Sequence, residues 1–198
     1  MNRTKARLSF VSHLEEFFGI TYKEEILFEH GIYQAKLTFD PELYRCAGTN
    51  NLYIEGCIHW YPDVARVNIY YSLAGAQVVA KNKDNFPALF RVFNFISSEV
   101  WPLVDDTTGI DYYYTPTLLY CPRIFLSEDN KYDICMSFLF HYNFLDAMEL
   151  QTWDFILHCC PYLMQSWAPS IFNVVQGHIS AERAIEEIQN KLHLKNSD

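Results

Sequence analysis

The stretch from Asp84 to Trp101 is the sequence feature that most constrains the fold. Large apolar side chains recur in it every three to four residues, the period of an amphipathic α-helix. They are Phe86, Leu89, Phe90, Phe93, Ile96 and Val100. A stripe this aromatic needs a broad apolar surface opposite it. We therefore predict a central helix packed on a sheet, with three rings buried between them: Phe86, Phe90 and Phe93.

Alternating apolar and polar residues predict antiparallel strands on both sides of this helix. The strand segments are Ile32–Phe39, Leu52–Trp60 and Ala65–Tyr71 before it, and a hairpin of Leu118–Leu126 with Tyr132–His141 after it. Helical periodicity predicts a first helix at Leu8–Phe18 and C-terminal helices from Asp146, which Pro161 and Pro169 should kink or split. Tyr22–Phe28 is compatible with a strand or a helix. This order, α-βββ-α-ββ-αα, predicts a single α+β domain over residues 1–198, an antiparallel sheet with helices on one face.

Composition limits the classes of function that the chain can have. Half of the 198 residues are hydrophobic and the net charge is −9, so we expect no nucleic-acid partner and no anionic membrane surface. No apolar run approaches the ~18–20 residues that span a bilayer, and the N-terminal residues make a poor signal peptide. The six cysteines follow no disulfide or CxxC spacing. Reduced thiols in a cytoplasmic protein are the expectation.

Three segments resemble the YbjN family, which is itself similar in fold to type III secretion chaperones. They are the helical Leu89-x-x-x-Phe93-Asn94, the acidic turn Glu128-Asp129-Asn130 before an alternating strand, and the stretch from Val174 to Ala184 around Gly177. The resemblance extends from Asn85 to Ile188. It implies a bacterial regulator or chaperone-like adaptor, and it carries no catalytic motif. Because one fold hosts many functions, the implied role is an expectation by analogy.

A second sheet face gives the strongest functional indication. If the apolar sides of the strands meet the helices, the polar sides form a face that mixes Tyr and Arg with short polar groups, a composition typical of protein-recognition surfaces. The candidate partner-binding residues on it are Tyr53, His59, Arg66, Tyr70, Arg123 and His141. The expected partner is another polypeptide, which includes a second copy of this chain in a homodimer. An ordinary solvated sheet face is the alternative.

The same face collects cysteine and histidine residues, so a small-molecule- or metal-dependent activity is the alternative function. The residues concerned are Cys57, His59, Cys121, Cys135 and His141. Zinc sites normally have ligands in closely spaced pairs, and only Cys57-x-His59 has such spacing here. A Cys–His nucleophile would need a lowered thiol pKa and an oxyanion hole. We expect no metal, no cofactor and no catalytic residue, since P-loop, GxGxxG and GxSxG motifs are also absent from the sequence.

Overall fold

The computed structural model describes residues 1–15, 19–27, 31–47, 51–100, 122–127 and 131–193. Six antiparallel strands form one sheet in the order β1-β2-β3-β4-β6-β5. They are β1 (Ile20–Leu27), β2 (Ile32–Phe39), β3 (Ile54–Trp60), β4 (Val64–Tyr71), β5 (Arg123–Leu126) and β6 (Ile134–His141). The described helices pack on one face of this sheet. The predicted α+β class is confirmed.

The N-terminal elements differ from the prediction in two ways. Helix α1 is Arg3–Leu14, capped by the side chain of Asn2, so it begins five residues before the predicted Leu8; residues 16–18 of the predicted helix lie outside the described residues. It buries Ala6 and Phe10 and leaves Leu8 exposed. The ambiguous segment that follows forms strand β1, so four strands rather than three precede the next helices.

A charged side chain under α1 explains why the alternation of β1 was hard to recognise. Glu24 lies opposite Ala35 of β2, on the side of the sheet that the helices cover. It accepts a hydrogen bond of 2.7 Å from Nε of Arg7, whose guanidinium lies 3.7 Å from the centroid of the Tyr33 ring. A carboxylate at an inward position therefore interrupts the apolar pattern, and the arginine compensates its charge.

The predicted central helix is divided, and it lies near the β5 edge of the sheet. Helix α2 (Leu73–Lys81), which the periodicity did not predict, is followed by a 3₁₀ turn (Lys83–Asn85), α3 (Phe86–Phe95) and a π-helical turn (Ile96–Val100). Helix α3 contacts the C-terminal helices and β5 rather than the middle of the sheet. Phe93 is only 3% exposed, whereas Phe90 is 44% exposed. The expectation that all three phenylalanine rings are buried was therefore wrong for Phe90, and Phe86 is only partly buried.

The long C-terminal helical segment occupies the position that we had expected for the central helix. It consists of α4 (Tyr142–Ala147), α5 (Glu149–Asp154), a π-helical turn (Phe155–Cys159), α6 (Cys160–Val175) and α7 (Ala181–His193). Pro161 and Pro169 do not split it. The π turn ends at Cys159, and α6 follows it without a break. Pro161 lies in the first turn of α6, and Pro169 lies inside this helix. Helix α6 contacts β3 and β4, and the Tyr71 hydroxyl of β4 donates to the carbonyl of Met164 at 2.7 Å.

An aromatic cluster joins α1, the sheet and α5. The Phe10 ring lies 5.8 Å from Trp60 and 5.3 Å from Trp153, and Phe140 lies 5.7 Å from Trp153, between ring centroids. All four side chains are buried. The hydrophobic core is therefore continuous from the first helix to the C-terminal helices. None of the described helices is long and apolar enough to cross a membrane.

Candidate functional site

The second face of the sheet, here called the outer face, is defined by one row of residues across five strands. Pairing places Lys36, Cys57, Asn68, Ser137 and Arg123 side by side in that row. Successive side chains of a strand point to opposite sides, so the residues between these positions face the helices. The burial of β4 follows this rule, with exposed or half-exposed residues alternating with buried ones.

A broad depression on the outer face is lined by two arginines and several apolar groups. We call it the arginine depression; its volume is about 600 Å³, and it is lined by Tyr61, Val64, Arg66, Arg123, Phe125, Ser137 and Leu139. Leu139 is 57% exposed; it pairs with Arg66 of β4, and the described β5–β6 pairs end two residues before it, at Ser137. Nε of Arg66 donates to Oγ of Ser137 at 3.2 Å. Among the described residues, neither Arg66 nor Arg123 forms an ion pair with a carboxylate.

A second, more polar depression adjoins the first and contains two thiols. This thiol depression, of about 400 Å³, shares Arg66 and Phe125 with its neighbour. Nδ2 of Asn68 donates to Sγ of Cys57 at 3.5 Å, and Sγ of Cys135 donates to Oδ1 of Asn68 at 3.8 Å. Nδ1 of His59 lies 3.9 Å from Sγ of Cys57. One amide therefore bridges two thiols that stand on the strands flanking it.

The thiol depression favours the neutral forms of its two cysteines and of His59. Burial raises the pKa of the Cys57 thiol, and the hydrogen bond from Asn68 opposes this effect only in part. Burial likewise raises the pKa of Cys135. The pKa of His59 is lowered by burial and by the nearby charge of Arg66. A neutral thiol is a poor nucleophile, so the electrostatics of this depression are the reverse of those in an activated Cys–His pair.

The described residues also do not assemble a metal site. No group of three or more His, Cys, Asp or Glu side chains in these parts of the chain is placed to hold an ion. Cys121, one of the candidate ligands, lies outside the described residues. Strand β4 lies between Cys57 and Cys135. The Asn68 amide of that strand contacts both thiols and stands where a metal ion shared by them would have to lie.

The six candidate partner-binding residues are dispersed over the outer face rather than gathered at one point. Arg66 and Arg123 line the arginine depression, and Arg66, His59 and Tyr70 line the thiol depression. Tyr53 lies before β3 and lines a separate depression beside Arg45 and Pro41. His141 ends β6, where its Nδ1 accepts from the backbone N–H of Asn143 and caps α4.

Of the residues that line the arginine depression, only Arg66 and Arg123 were in the sequence-based selection, and Leu139 and Ser137 are among those missing from it. Leu139 occupies a position at which the alternation of β6 predicts a polar side chain, so its exposure could have been inferred from the pattern. The same alternation places Ser137 on the outer face, but it does not indicate the neighbours of that residue on other strands. Its position between the two arginines depends on the order β4-β6-β5, which the sequence does not reveal.

Comparison of the chain with protein-family models, with curated proteins and with solved structures gave no match. The resemblance to the YbjN family stays a prediction. The function of the outer face is therefore argued from its own geometry.

Proposed function

We propose that the protein is a non-enzymatic, cytoplasmic binding module that recognises another polypeptide through the outer face. The observation that carries this proposal is the exposed Leu139, which has Arg66 and Ser137 as neighbours in a broad depression. An exposed leucine on a central strand is costly to hydrate, and a partner that covers it removes apolar area from water. Arginine and aromatic groups beside it are the residue types that most often anchor interfaces.

The depression supports a polypeptide better than a compact small molecule. It is open and shallow, and its lining spans three strands from Val64 to Phe125. Small-molecule sites usually enclose most of the surface of their ligand. The neutral thiols next to it support the same choice over a catalytic use of Cys57 and His59. A role as a regulator or chaperone-like adaptor follows from the resemblance to the YbjN family.

The proposal is tested by differential capture with a matched pair of variants. Leu139→Thr removes the apolar anchor and introduces a β-branched residue, which suits a strand. Leu73→Thr makes the same change at a leucine that is 69% exposed on α2, on the other side of the molecule. Proteins retained by immobilised wild type and by each variant are quantified by mass spectrometry, and one retained protein is purified for direct titration.

We expect Leu139→Thr to weaken binding of the purified partner at least tenfold while Leu73→Thr binds as wild type does. Thermal melts of both variants establish that they are folded. Equal binding by the two variants would exclude the outer face as the site of recognition. If the only protein retained is this chain itself, the partner is a second copy, and sedimentation should then show a dimer that Leu139→Thr dissociates.

A further inference from the structure

The arginine depression contains a hydroxyl group whose proton is available for a ligand. Ser137 is only 8% exposed and accepts a hydrogen bond from Nε of Arg66. Among the described residues the Ser137 hydroxyl donates no hydrogen bond, so its proton is free to be donated towards the opening. A hydroxyl held in this way by a cation is an effective donor to an anion, since the positive charge polarises it.

Both arginines can direct further donors at the same place. A guanidinium has five N–H groups, and the contact with Ser137 uses one of those on Arg66. Arg123 pairs with Ser137 across the β5–β6 ladder and lines the same depression. Planar guanidinium groups match the two oxygens of a carboxylate, and charge-assisted bonds of this kind are about twice as strong as neutral ones.

Cationic residues outnumber acidic ones among the described residues of the outer face, although the chain as a whole is acidic. Within the described part of the chain, strand position and depression lining place five cationic residues there, namely Lys23, Lys36, Arg66, Arg123 and Lys131, against two acidic ones, namely Glu55 and Asp133. The chain as a whole carries −9. A positive face attracts negatively charged partners.

We propose that the arginine depression binds the carboxylates of an acidic polypeptide segment, with Arg66, Ser137 and Arg123 as the anion-binding residues and Leu139 as the apolar anchor between them. This inference rests on the proposed function and specifies the chemistry of the partner. From the register, Arg66 and Arg123 stand two strands and two residues apart, which separates their Cα atoms by roughly 12 Å. Aspartates four residues apart on an extended peptide are separated by about 13 Å, with an intervening side chain on the same side.

A peptide built to this spacing tests the inference. The acidic probe is a fluorescein-labelled, end-capped peptide with the core aspartate, serine, leucine, serine, aspartate. The amide probe replaces both aspartates by asparagine and keeps shape and hydrophobicity. Binding is measured by fluorescence anisotropy at low and at physiological ionic strength. Two double variants are compared: Arg66→Gln with Arg123→Gln, and the control Arg45→Gln with Lys81→Gln, which changes the net charge equally at exposed sites away from Ser137.

We expect the acidic probe to bind at least about tenfold more tightly than the amide probe at low salt, with a smaller ratio at higher salt. The Arg66 and Arg123 double variant should bind the acidic probe only as weakly as it binds the amide probe. The control variant should retain most of the difference in affinity between the two probes. Ser137→Ala should weaken binding of the acidic probe and leave binding of the amide probe unchanged.

The outcomes separate this inference from the proposed function. If both probes bind equally well and Leu139→Thr weakens both, the outer face recognises polypeptides without regard to their charge, and the inference is wrong while the proposed function stands. If neither probe binds but Leu139→Thr still abolishes capture of a purified partner, the inference of an acidic partner segment is again wrong, while the proposed function stands. If millimolar inorganic phosphate displaces the acidic probe and protects the fold against heat to the same extent, the site holds free oxyanions rather than an acidic segment.

Discussion

At the scale of single residues, burial determines what the thiols can do. Cys57 and Cys135 stand on the outer face, yet both are less than one-tenth exposed because neighbouring side chains cover them. A thiolate in such surroundings loses hydration without gaining a cation in direct contact, so the protonated form is favoured. The hydrogen bonds to Asn68 then act as structural links between strands.

The raised pKa of Cys57 leads to a prediction for its reactivity. Only the thiolate is alkylated, so the rate for Cys57 in the folded protein should rise at a more alkaline pH than for an ordinary thiol with a pKa of 9.0. Alkylation by iodoacetamide at a series of pH values, followed by peptide mass mapping, gives the profile. Protein unfolded in urea serves as the control and should show the ordinary profile. Rapid alkylation of folded protein below pH 8 would instead support the alternative, catalytic use of this cysteine.

At the scale of elements, the two faces of helix α3 are unequal. Its inner side, with Leu89, Val92 and Phe93, is buried against the C-terminal helices and β5. The Phe90 ring lies beside Phe86 and Phe93, with centroids 5.9 and 6.2 Å away, and keeps much of its surface in solvent. The aromatic stripe of α3 is wider than the surface against which the helix packs, so the Phe90 ring lies at the margin of that contact.

Substitution of two phenylalanines on this helix should distinguish the buried face from the margin. Phe93→Ala creates a cavity in the core and should lower the free energy of unfolding by about 3–5 kcal/mol. Phe90→Ala removes a ring already in contact with water and should cost about 1 kcal/mol or less. Urea denaturation of both variants gives the two values. Similar losses for both would mean that Phe90 is as deeply packed as Phe93, contrary to the arrangement described above.

At the scale of the whole molecule, one hydrogen-bonded group connects the first helix to the C-terminal helices. Nε1 of Trp153 in α5 donates to Oγ of Ser9 in α1 at 2.7 Å, and the Ser9 hydroxyl donates to Glu149. The other central tryptophan, Trp60, is equally buried, but its Nε1 has no hydrogen-bond partner in the described part of the chain. The two fully buried indoles of this cluster therefore differ in whether Nε1 is hydrogen-bonded.

The same change made at these two tryptophans measures that interaction. Trp153→Phe and Trp60→Phe remove similar volumes, but only the first leaves the polar Ser9–Glu149 pair without its donor. We expect Trp153→Phe to be the more destabilising by roughly 1–2 kcal/mol. Calorimetric melts of both variants test this, and introducing Ser9→Ala into each should reduce the difference. If Trp60→Phe proves the more destabilising, packing rather than hydrogen bonding governs the cluster.

The sequence by itself determined which side chains of most strands face the helices and which form the outer face. That assignment follows from the two-residue period of a strand, which is a local property of the backbone. It placed Arg66, Tyr70, His59 and Arg123 on one face and predicted the α+β class. The exposed Leu139 was also present in the pattern as an apolar residue at a polar position.

Only the tertiary structure decided which helix covers the sheet and which residues meet across the strands. Several segments carry apolar stripes of similar strength, and the choice of α6 over α3 depends on how all of them pack together. The placement of Ser137 between Arg66 and Arg123 likewise requires β6 to lie between β4 and β5. Contacts between residues some 70 positions apart arise from packing and loop closure over the whole chain, which no local period encodes.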